Sequence, residues 1–153
     1  MIKKLKKIML VTRRKTIQYL MYVNTGLYMR QYVNFLKKKG MDIEGLPNYI
    51  SNDVHFDGKD YSIIHLGDGC TISREVHFLT HDYSMHTVLQ GLETQISSDV
   101  WKTLETGDAK NKLLDLRGIY VGAHSFIGAR ALLLPGTYIG DNCIVGETVR
   151  KLR

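Results

Sequence analysis

Aliphatic residues return at every sixth position in the last part of the chain, and a small residue follows most of them. The pattern runs from Ile119 to Gly146, which reads IYVGAH SFIGAR ALLLPG TYIGDN CIVG. Its aliphatic positions are Val121, Ile127, Leu133, Ile139 and Val145. Glycine follows four of these five, and glycine permits a tight corner that a Cβ would resist. Residues two apart on a strand share a face, so a six-residue period with corner glycines predicts a parallel β-helix.

The same period occurs earlier in the chain. It begins imperfectly in Tyr49–Phe56 and settles at Leu66, Ile72 and Phe78. It then stops from residue 79 to residue 117 and resumes in full register at Ile119. The pattern therefore predicts one β-helix domain over residues 46–153, interrupted by a long excursion at residues 79–117 that leaves from a corner. An irregular stretch of this length in a compact domain is usually functional.

Residues 1–45 have a different character and are predicted to form a basic helical arm. Residues 1–40 hold eleven Lys and Arg and no acid, whereas the remainder of the chain carries an excess of acids. Apolar residues of the segment 16–36 fall roughly on one helical face, and Lys37–Lys39 followed by Gly40 suit a helix end. Polar residues interrupt the apolar run, so no membrane span is expected. Two positions for the arm are open: packed over one end of the β-helix, which we favour, or in peripheral contact with a membrane.

The two cysteines bear on the cellular compartment. Cys70 and Cys143 both fall at inward positions of the repeat, where small apolar side chains belong. Buried reduced thiols are therefore expected rather than a disulfide, which fits a cytoplasmic protein. With the basic arm, the expected location is the cytoplasm, with peripheral contact at the inner membrane surface as an addition.

Two segments together resemble a known family. The run VHFLTHDYS (Val76–Ser84) resembles the segment of polysaccharide and sugar O-acetyltransferases that carries their catalytic histidine. The run VGAHSFIGARALLLPGTYIGDNCIVG (Val121–Gly146) resembles their acetyl-CoA-binding coils. These enzymes belong to the hexapeptide-repeat acyltransferases, so the resemblance implies a mainly β protein with a left-handed parallel β-helix of triangular cross-section. The left hand is implied by the resemblance only, because the general rule for parallel connections predicts a right-handed crossover.

The resemblance also implies a function and a set of site residues. His81 matches the catalytic base of the family, and histidine suits that role because its pKa lies near neutrality. The implied reaction is direct transfer from acetyl-CoA to a hydroxyl of a sugar or glycan precursor, with no metal. Asp82, Tyr83 and His86 are expected to contact the acceptor, although Asp82 could instead cap the turn. Such enzymes are typically homotrimers with active sites between neighbouring β-helices.

The expected cofactor residues lie in the later coils. By resemblance, Gly128 and Ala129 match positions along which the pantetheine arm runs, with Gly146 and Glu147 one coil further on. Glycine and alanine are equally expected there because a corner demands small residues. Members of the family continue with a further small-residue rung bearing Thr and Lys, whereas Glu147 stands here where a small residue is expected and the chain reaches Arg153. This departure predicts weaker binding of CoA, with Arg150, Lys151 and Arg153 as candidates to replace the missing lysine.

Two other functions remain open at this stage. The departure near Glu147 favours, as an alternative, a truncated and weakly active or inactive scaffold. A less favoured alternative is a zinc hydratase like the gamma-class carbonic anhydrases, because His81 and His86 have the spacing of two of their ligands. A catalytic zinc site needs three protein ligands, and the sequence offers no convincing third. A basic arm could favour an anionic membrane surface or nucleic acid. A solvated basic helix packed on the body is at least as strongly expected, and no nucleic-acid partner is predicted.

Overall fold

Three parallel sheets surround one apolar core in the computed structural model, which describes residues 12–58, 60–91, 102 and 117–147. The helices are α1 (described over residues 12–20), α2 (Thr25–Lys38) and α3 (Ser84–Gly91). The strands of the first two coils are β1 (Asp42–Ile43), β2 (Tyr49–Ile50), β3 (His55–Phe56), β4 (Ile64–Leu66), β5 (Thr71–Ile72) and β6 (His77–Phe78). Those that follow are β7 (Ile119–Val121), β8 (Phe126–Ile127), β9 (Leu132–Leu133), β10 (Tyr138–Ile139) and β11 (Ile144–Val145).

Successive strands take turns among the three sheets. Sheet A has the order β1-β4-β7-β10, sheet B has β2-β5-β8-β11, and sheet C has β3-β6-β9. Neighbouring strands in each sheet are parallel, as in the pairing of Ile64 with Ile119. Three strands thus complete one coil, and the fold is a left-handed parallel β-helix of hexapeptide repeats, as predicted.

The alternation of side chains along each short strand explains the core. Ile64 and Leu66 are fully buried, and His65 between them faces outward. The same pattern holds in the next coil, where Ile119 and Val121 are buried on either side of Tyr120. Because positions two apart share a face, each six-residue unit sends two side chains into the interior, as the period predicted.

The long excursion leaves one corner and returns in the next coil. The chain departs after β6 and re-enters at β7, which pairs with β4 in full register. The coil is therefore continuous across the interruption, as the register of the repeat predicted. The first part of the excursion forms α3, while residues 92–101 and 103–116 lie outside the described part of the chain.

The arm consists of two helices where the sequence predicted one over residues 16–36. The prediction of a single helix was wrong because the chain turns at residues 21–23 and Asn24 then caps α2. The Asn24 side chain accepts a hydrogen bond from the Leu27 amide at 2.8 Å. Asparagine is among the best helix N-caps, worth about 1 kcal/mol over alanine, which favours a new helix start at this position.

Helix α2 covers the first coil. Tyr28 is fully buried and its hydroxyl donates a hydrogen bond to the carbonyl oxygen of Ile50 at 2.8 Å. The Ile50 amide in turn lies 3.3 Å from the sulfur of Met29. β2 is the outermost strand of sheet B, so α2 satisfies groups on an edge that would otherwise invite pairing with another chain. The coil itself already begins at Asp42, where β1 pairs with β4.

Two further expectations can be compared with the structure. Cys70 is buried and Cys143 partly buried, and both are free thiols, as predicted. Burial raises the pKa of the Cys70 thiol to about 12, which suits an inert core residue. None of the helices in the described ranges is long and apolar enough to cross a lipid bilayer.

Candidate functional site

His81 lies at the corner where the chain leaves sheet C. Just before it, the Leu79 amide donates to the carbonyl oxygen of Leu133 in the next coil at 2.9 Å. Thr80 is buried, and its hydroxyl donates to the Asp57 carbonyl oxygen at 3.3 Å. Hydrogen bonds to the next coil and to the preceding coil therefore hold the chain up to the residue before His81. The β-helix, rather than the excursion, sets the position of this histidine.

Asp57 from the preceding coil orients His81. Its Oδ2 atom lies 3.0 Å from Nδ1 of His81, and the two side chains are only 24% and 21% exposed. A carboxylate at Nδ1 holds that nitrogen as the N–H donor, which leaves Nε2 as the nitrogen with the free lone pair. The sequence reasoning left the orienting group of His81 unknown, and Asp57 supplies it.

The residues after His81 have separate roles. The Tyr83 ring meets the His81 ring edge-on at a centroid distance of 4.7 Å, and it is 53% exposed. Asp82 Oδ1 accepts a hydrogen bond from the Ser84 amide at 2.8 Å, so it caps the start of α3. Capping was one of the two roles predicted for Asp82. His86 belongs to α3, but its side chain lies outside the described part of the structure.

His65 provides a contrast within the same coil. Its Nδ1 lies 2.8 Å from Oδ2 of Asp42, again a carboxylate from the preceding coil. Its ring stacks flat on Tyr120 at a centroid distance of 4.2 Å, and Tyr120 stacks on Tyr138 at 4.7 Å. Nε2 of His65 is sealed from solvent and has no hydrogen-bond partner, and it is the one such side-chain atom among the described residues. Nε2 of His81 is not such a buried atom without a partner, and the His81 side chain is 21% exposed against 15% for His65.

The predicted cofactor residues lie at another corner, between sheets B and C. A Cβ on Gly128 would meet the Glu147 amide nitrogen at 2.7 Å, so the close approach of the next coil requires glycine here. Gly146 has open space around it. Ala129 and Glu147 line a small cleft of about 180 Å³.

Two arginines that the sequence reasoning did not identify line the same cleft. Arg74 and Arg130 occupy successive coils of this corner and are 75% and 69% exposed. Nε of Arg130 donates to Glu75 at 2.6 Å, and this hydrogen bond lowers the pKa of Glu75. Nε of Arg74 donates to Asp53 at 3.2 Å. Burial alone would raise the pKa of Asp53, but hydrogen bonds from Ser51, the Glu75 amide and Arg74 outweigh it and lower that pKa. The sequence feature that could have identified Arg74 and Arg130 is the recurrence of a basic residue at the same corner in successive coils.

The two corners are at opposite ends of sheet C. Gly128 and Ala129 precede β9, whereas His81 follows β6, and the two strands are parallel neighbours. At about 3.3 Å per residue, they lie roughly 20 Å apart along the strand direction. The structure therefore does not bring the predicted base and the predicted cofactor residues together at one corner of a single chain.

Metal coordination can be considered for the described residues only. Within residues 12–58, 60–91, 102 and 117–147, no group of three or more His, Cys, Asp or Glu could hold a metal ion. The His86 side chain, which the zinc alternative requires, is not among them.

Comparison with known proteins gives one result. No curated protein and no solved structure matches the chain. Residues 118–150 match the family model described as bacterial transferase hexapeptide (six repeats). This range covers the coils from β7 to β11, including Gly128, Ala129, Gly146 and Glu147. The later coils of this chain are thus similar to those of the hexapeptide transferases, which are generally acyltransferases.

Proposed function

We propose that this protein is an acetyl-CoA-dependent O-acetyltransferase that acts on a hydroxyl of a sugar or glycan precursor. The observation that carries the proposal is the Asp57–His81 pair at the exit from a hexapeptide coil, where the His81 side chain is 21% exposed. A hydroxyl is a poor nucleophile at neutral pH, so attack on a thioester needs a positioned base. The similarity of residues 118–150 to hexapeptide transferases supports acyl transfer as the class of reaction.

In the proposed mechanism His81 moves one proton. Its Nε2 atom accepts the proton of the acceptor hydroxyl as the oxygen attacks the thioester carbonyl. The tetrahedral intermediate then collapses, the carbon–sulfur bond breaks, and the imidazolium returns the proton to the departing thiolate. Asp57 stabilises the transient imidazolium through Nδ1 and keeps the ring in place. The acetyl group passes directly to the acceptor, and no covalent enzyme intermediate is needed.

The cofactor is proposed to lie along the corner between sheets B and C. Ala129 gives the pantetheine arm room beside the backbone, and Arg74 and Arg130 are placed to meet CoA phosphates. Glu75 and Glu147 line the same cleft and oppose an anion, although Arg130 compensates Glu75. This balance predicts modest affinity for CoA. It is also the observation that favours the second candidate, a scaffold that does not bind CoA.

A second copy of the chain is proposed to complete each site. A cofactor that follows the stacked coils past Ala129 stays at the corner between sheets B and C, and His81 lies at the opposite end of sheet C. In a homotrimer, the His81 corner of one chain can face the Ala129 corner of its neighbour. Exposed apolar side chains on the outer surface of the later coils could pack in such an interface, among them Leu132, Tyr138 and Ile144.

The proposal is tested by CoA release from acetyl-CoA in the presence of a panel of sugars. We expect release that depends on the sugar, together with a mass increase of the sugar by one acetyl group. Ala129→Trp should abolish the binding of acetyl-CoA in calorimetric titration, because the indole fills the cleft. Ala123→Trp is the matched control, since Ala123 holds the equivalent place in the corner between sheets A and B. A folded wild-type protein that binds no acetyl-CoA would support the scaffold instead.

Mixing two inactive variants tests whether sites are shared. His81→Ala and Ala129→Trp are each expected to be inactive alone. After unfolding together and refolding, mixed trimers contain interfaces that combine an intact His81 with an intact Ala129, so activity should return in part. Absence of any recovery in mixed trimers of verified mass would instead place the whole site within one chain, with CoA lying across sheet C.

A further inference from the structure

The junction between α1 and α2 exposes apolar and aromatic side chains that the fold does not use. Tyr19, Tyr22 and Val23 are 72%, 77% and 83% exposed, and Leu27 is 44% exposed. We call residues 19–27 the elbow. Its neighbours Ile17 and Tyr28 face the core, so the inward side of the arm is fully engaged while the outward side of the elbow is apolar. A contiguous exposed apolar patch commonly marks an interaction surface.

The elbow has a fixed shape. Asn24 caps α2 through the Leu27 amide at 2.8 Å, and its own amide donates to the Leu20 carbonyl oxygen at 2.8 Å. On the inner side, Gln18 donates to the Asn52 carbonyl oxygen at 2.8 Å and ties α1 to the first coil. The exposed rings are therefore presented by an anchored turn, and their display loses little conformational entropy on binding.

Cations flank the apolar tip. Lys15, Tyr19 and Tyr22 line one open cleft of about 240 Å³ together with Gln18 and Asn52. Arg13 and Arg14 are also exposed, and a hydrogen bond from Arg14 opposes the rise that burial causes in the pKa of Tyr32. The first forty residues contain eleven Lys and Arg and no acid, so the whole arm has one sign of charge.

We propose that the elbow docks on the surface of an anionic lipid membrane. Tyrosine rings are favoured at the interface between water and lipid, and Val23 at the tip can enter the boundary between head groups and acyl chains. Lys15 and Arg13 then lie at the level of the anionic head groups, which attract them. In this proposal α1 and α2 lie on the membrane, and neither is long and apolar enough over its described residues to cross it.

Charge and the apolar tip together argue against two other partners for the elbow, a second copy of the chain and a nucleic acid. A symmetric contact between the elbows of two copies would bring together two segments (residues 1–40) that carry only positive charges, which repel each other. A nucleic acid would use the cations and could stack on the tyrosines, but it offers nothing that would bury Val23 or Leu27. An anionic membrane is the partner that satisfies both the charge and the apolar tip.

The test is co-sedimentation of the full-length protein with vesicles. We expect binding to vesicles of phosphatidylcholine mixed with phosphatidylglycerol, weakening as salt is raised, and little binding to pure phosphatidylcholine. The double variant Tyr22→Ser/Val23→Ser should bind the mixed vesicles at least about tenfold more weakly. Val88→Ser is the matched control, because Val88 is a 61% exposed apolar residue of α3, outside the arm, and the affinity of this variant should match that of the wild type.

Several results would overturn the proposal. These are wild-type binding that does not distinguish anionic from neutral vesicles, unchanged binding by the double variant, or retention of the wild type by nucleic acid and not by vesicles. A loss of oligomer mass in the double variant without vesicle binding by the wild type would assign the elbow to a second copy instead. Because the elbow contains no proposed site residue, the double variant should acetylate a soluble acceptor as the wild type does, so the membrane proposal and the transferase proposal can fail separately.

Discussion

Two histidines of this β-helix are held in the same way but have different surroundings. His65 and His81 each place Nδ1 within 3.0 Å of an aspartate from the preceding coil. The ring of His65 is covered by Tyr120, and its Nε2 is sealed from solvent. The ring of His81 stands at the corner where the chain leaves the coil, with Tyr83 packed edge-on against it, and its side chain is 21% exposed.

The comparison teaches that an aspartate–histidine pair does not by itself make a base. Such a pair fixes the tautomer, but proton transfer also needs a lone pair that substrate can reach. The aspartates differ as well, since Asp57 is 24% exposed and Asp42 is 66% exposed. Water and salt screen the exposed pair more strongly. His81 thus combines a less exposed carboxylate with a ring that Tyr83 meets edge-on, whereas the ring of His65 is stacked flat on Tyr120.

The largest difference is expected from removal of the two aspartates. Asp57→Asn should lower kcat at least about tenfold, because the amide no longer stabilises the imidazolium or enforces the reactive tautomer. Asp42→Asn should leave kcat within about twofold, since an exposed ion pair contributes little. Steady-state kinetics with a saturating acceptor measures both, and KM for acetyl-CoA is expected to stay constant. Equal losses in the two variants would remove the distinction between the pairs.

Chemical modification should sharpen the comparison at the level of single atoms. Diethyl pyrocarbonate reacts with accessible imidazole nitrogen, so His81 should be modified in the folded protein while His65 is spared. Peptide mass mapping reports each site, and modification after unfolding provides the control in which both react. Loss of activity should follow modification of His81, and His77→Ala should lose activity at the wild-type rate because His77 is an exposed histidine of the same coil. Early modification of His65 would contradict the sealed arrangement.

The smallest effects are expected in the free energy of unfolding. Here the larger loss should come from the His65 variant, whereas the larger loss of activity comes from changes at the His81 site. His65→Ala removes a ring that stacks on Tyr120, which should cost about 1 kcal/mol of unfolding free energy. His81→Ala should change it by no more than about 0.5 kcal/mol, as for a partly exposed side chain outside the core. Chemical denaturation at fixed protein concentration gives both values. A more stable His65→Ala protein would mean that the sealed ring is not a structural element.

The course of the coil could be predicted because burial has a strict period. Buried residues recur at the spacing that the interior demands, and the register continues across the excursion, as in the pairing of Ile64 with Ile119 and of Leu66 with Val121. The break between α1 and α2 was missed although Asn24 is a favoured helix cap. The apolar spacing on either side continued through it, and periodicity was given more weight than the local capping preference.

The candidate site was only partly accessible to sequence reasoning. His81 was identified because it lies where the repeat stops and matches the catalytic base of the O-acetyltransferases that the segment resembles, but its partner Asp57 was not. Beyond Leu79 the chain departs from the six-residue period, so the contact with Asp57 depends on the path of the turn, which the period does not specify. Arg74 and Arg130 were missed for a related reason. They occupy outward corner positions, where burial imposes no pattern.

The most direct test of the account is the activity of His81→Ala with and without added imidazole. If His81 is the base, kcat/KM for the acceptor should fall by about 10²–10⁴, and free imidazole should restore part of it by taking up the position of the missing ring. His65→Ala should keep nearly full activity and should not respond to imidazole. A His81→Ala protein that turns over like the wild type would contradict the central claim.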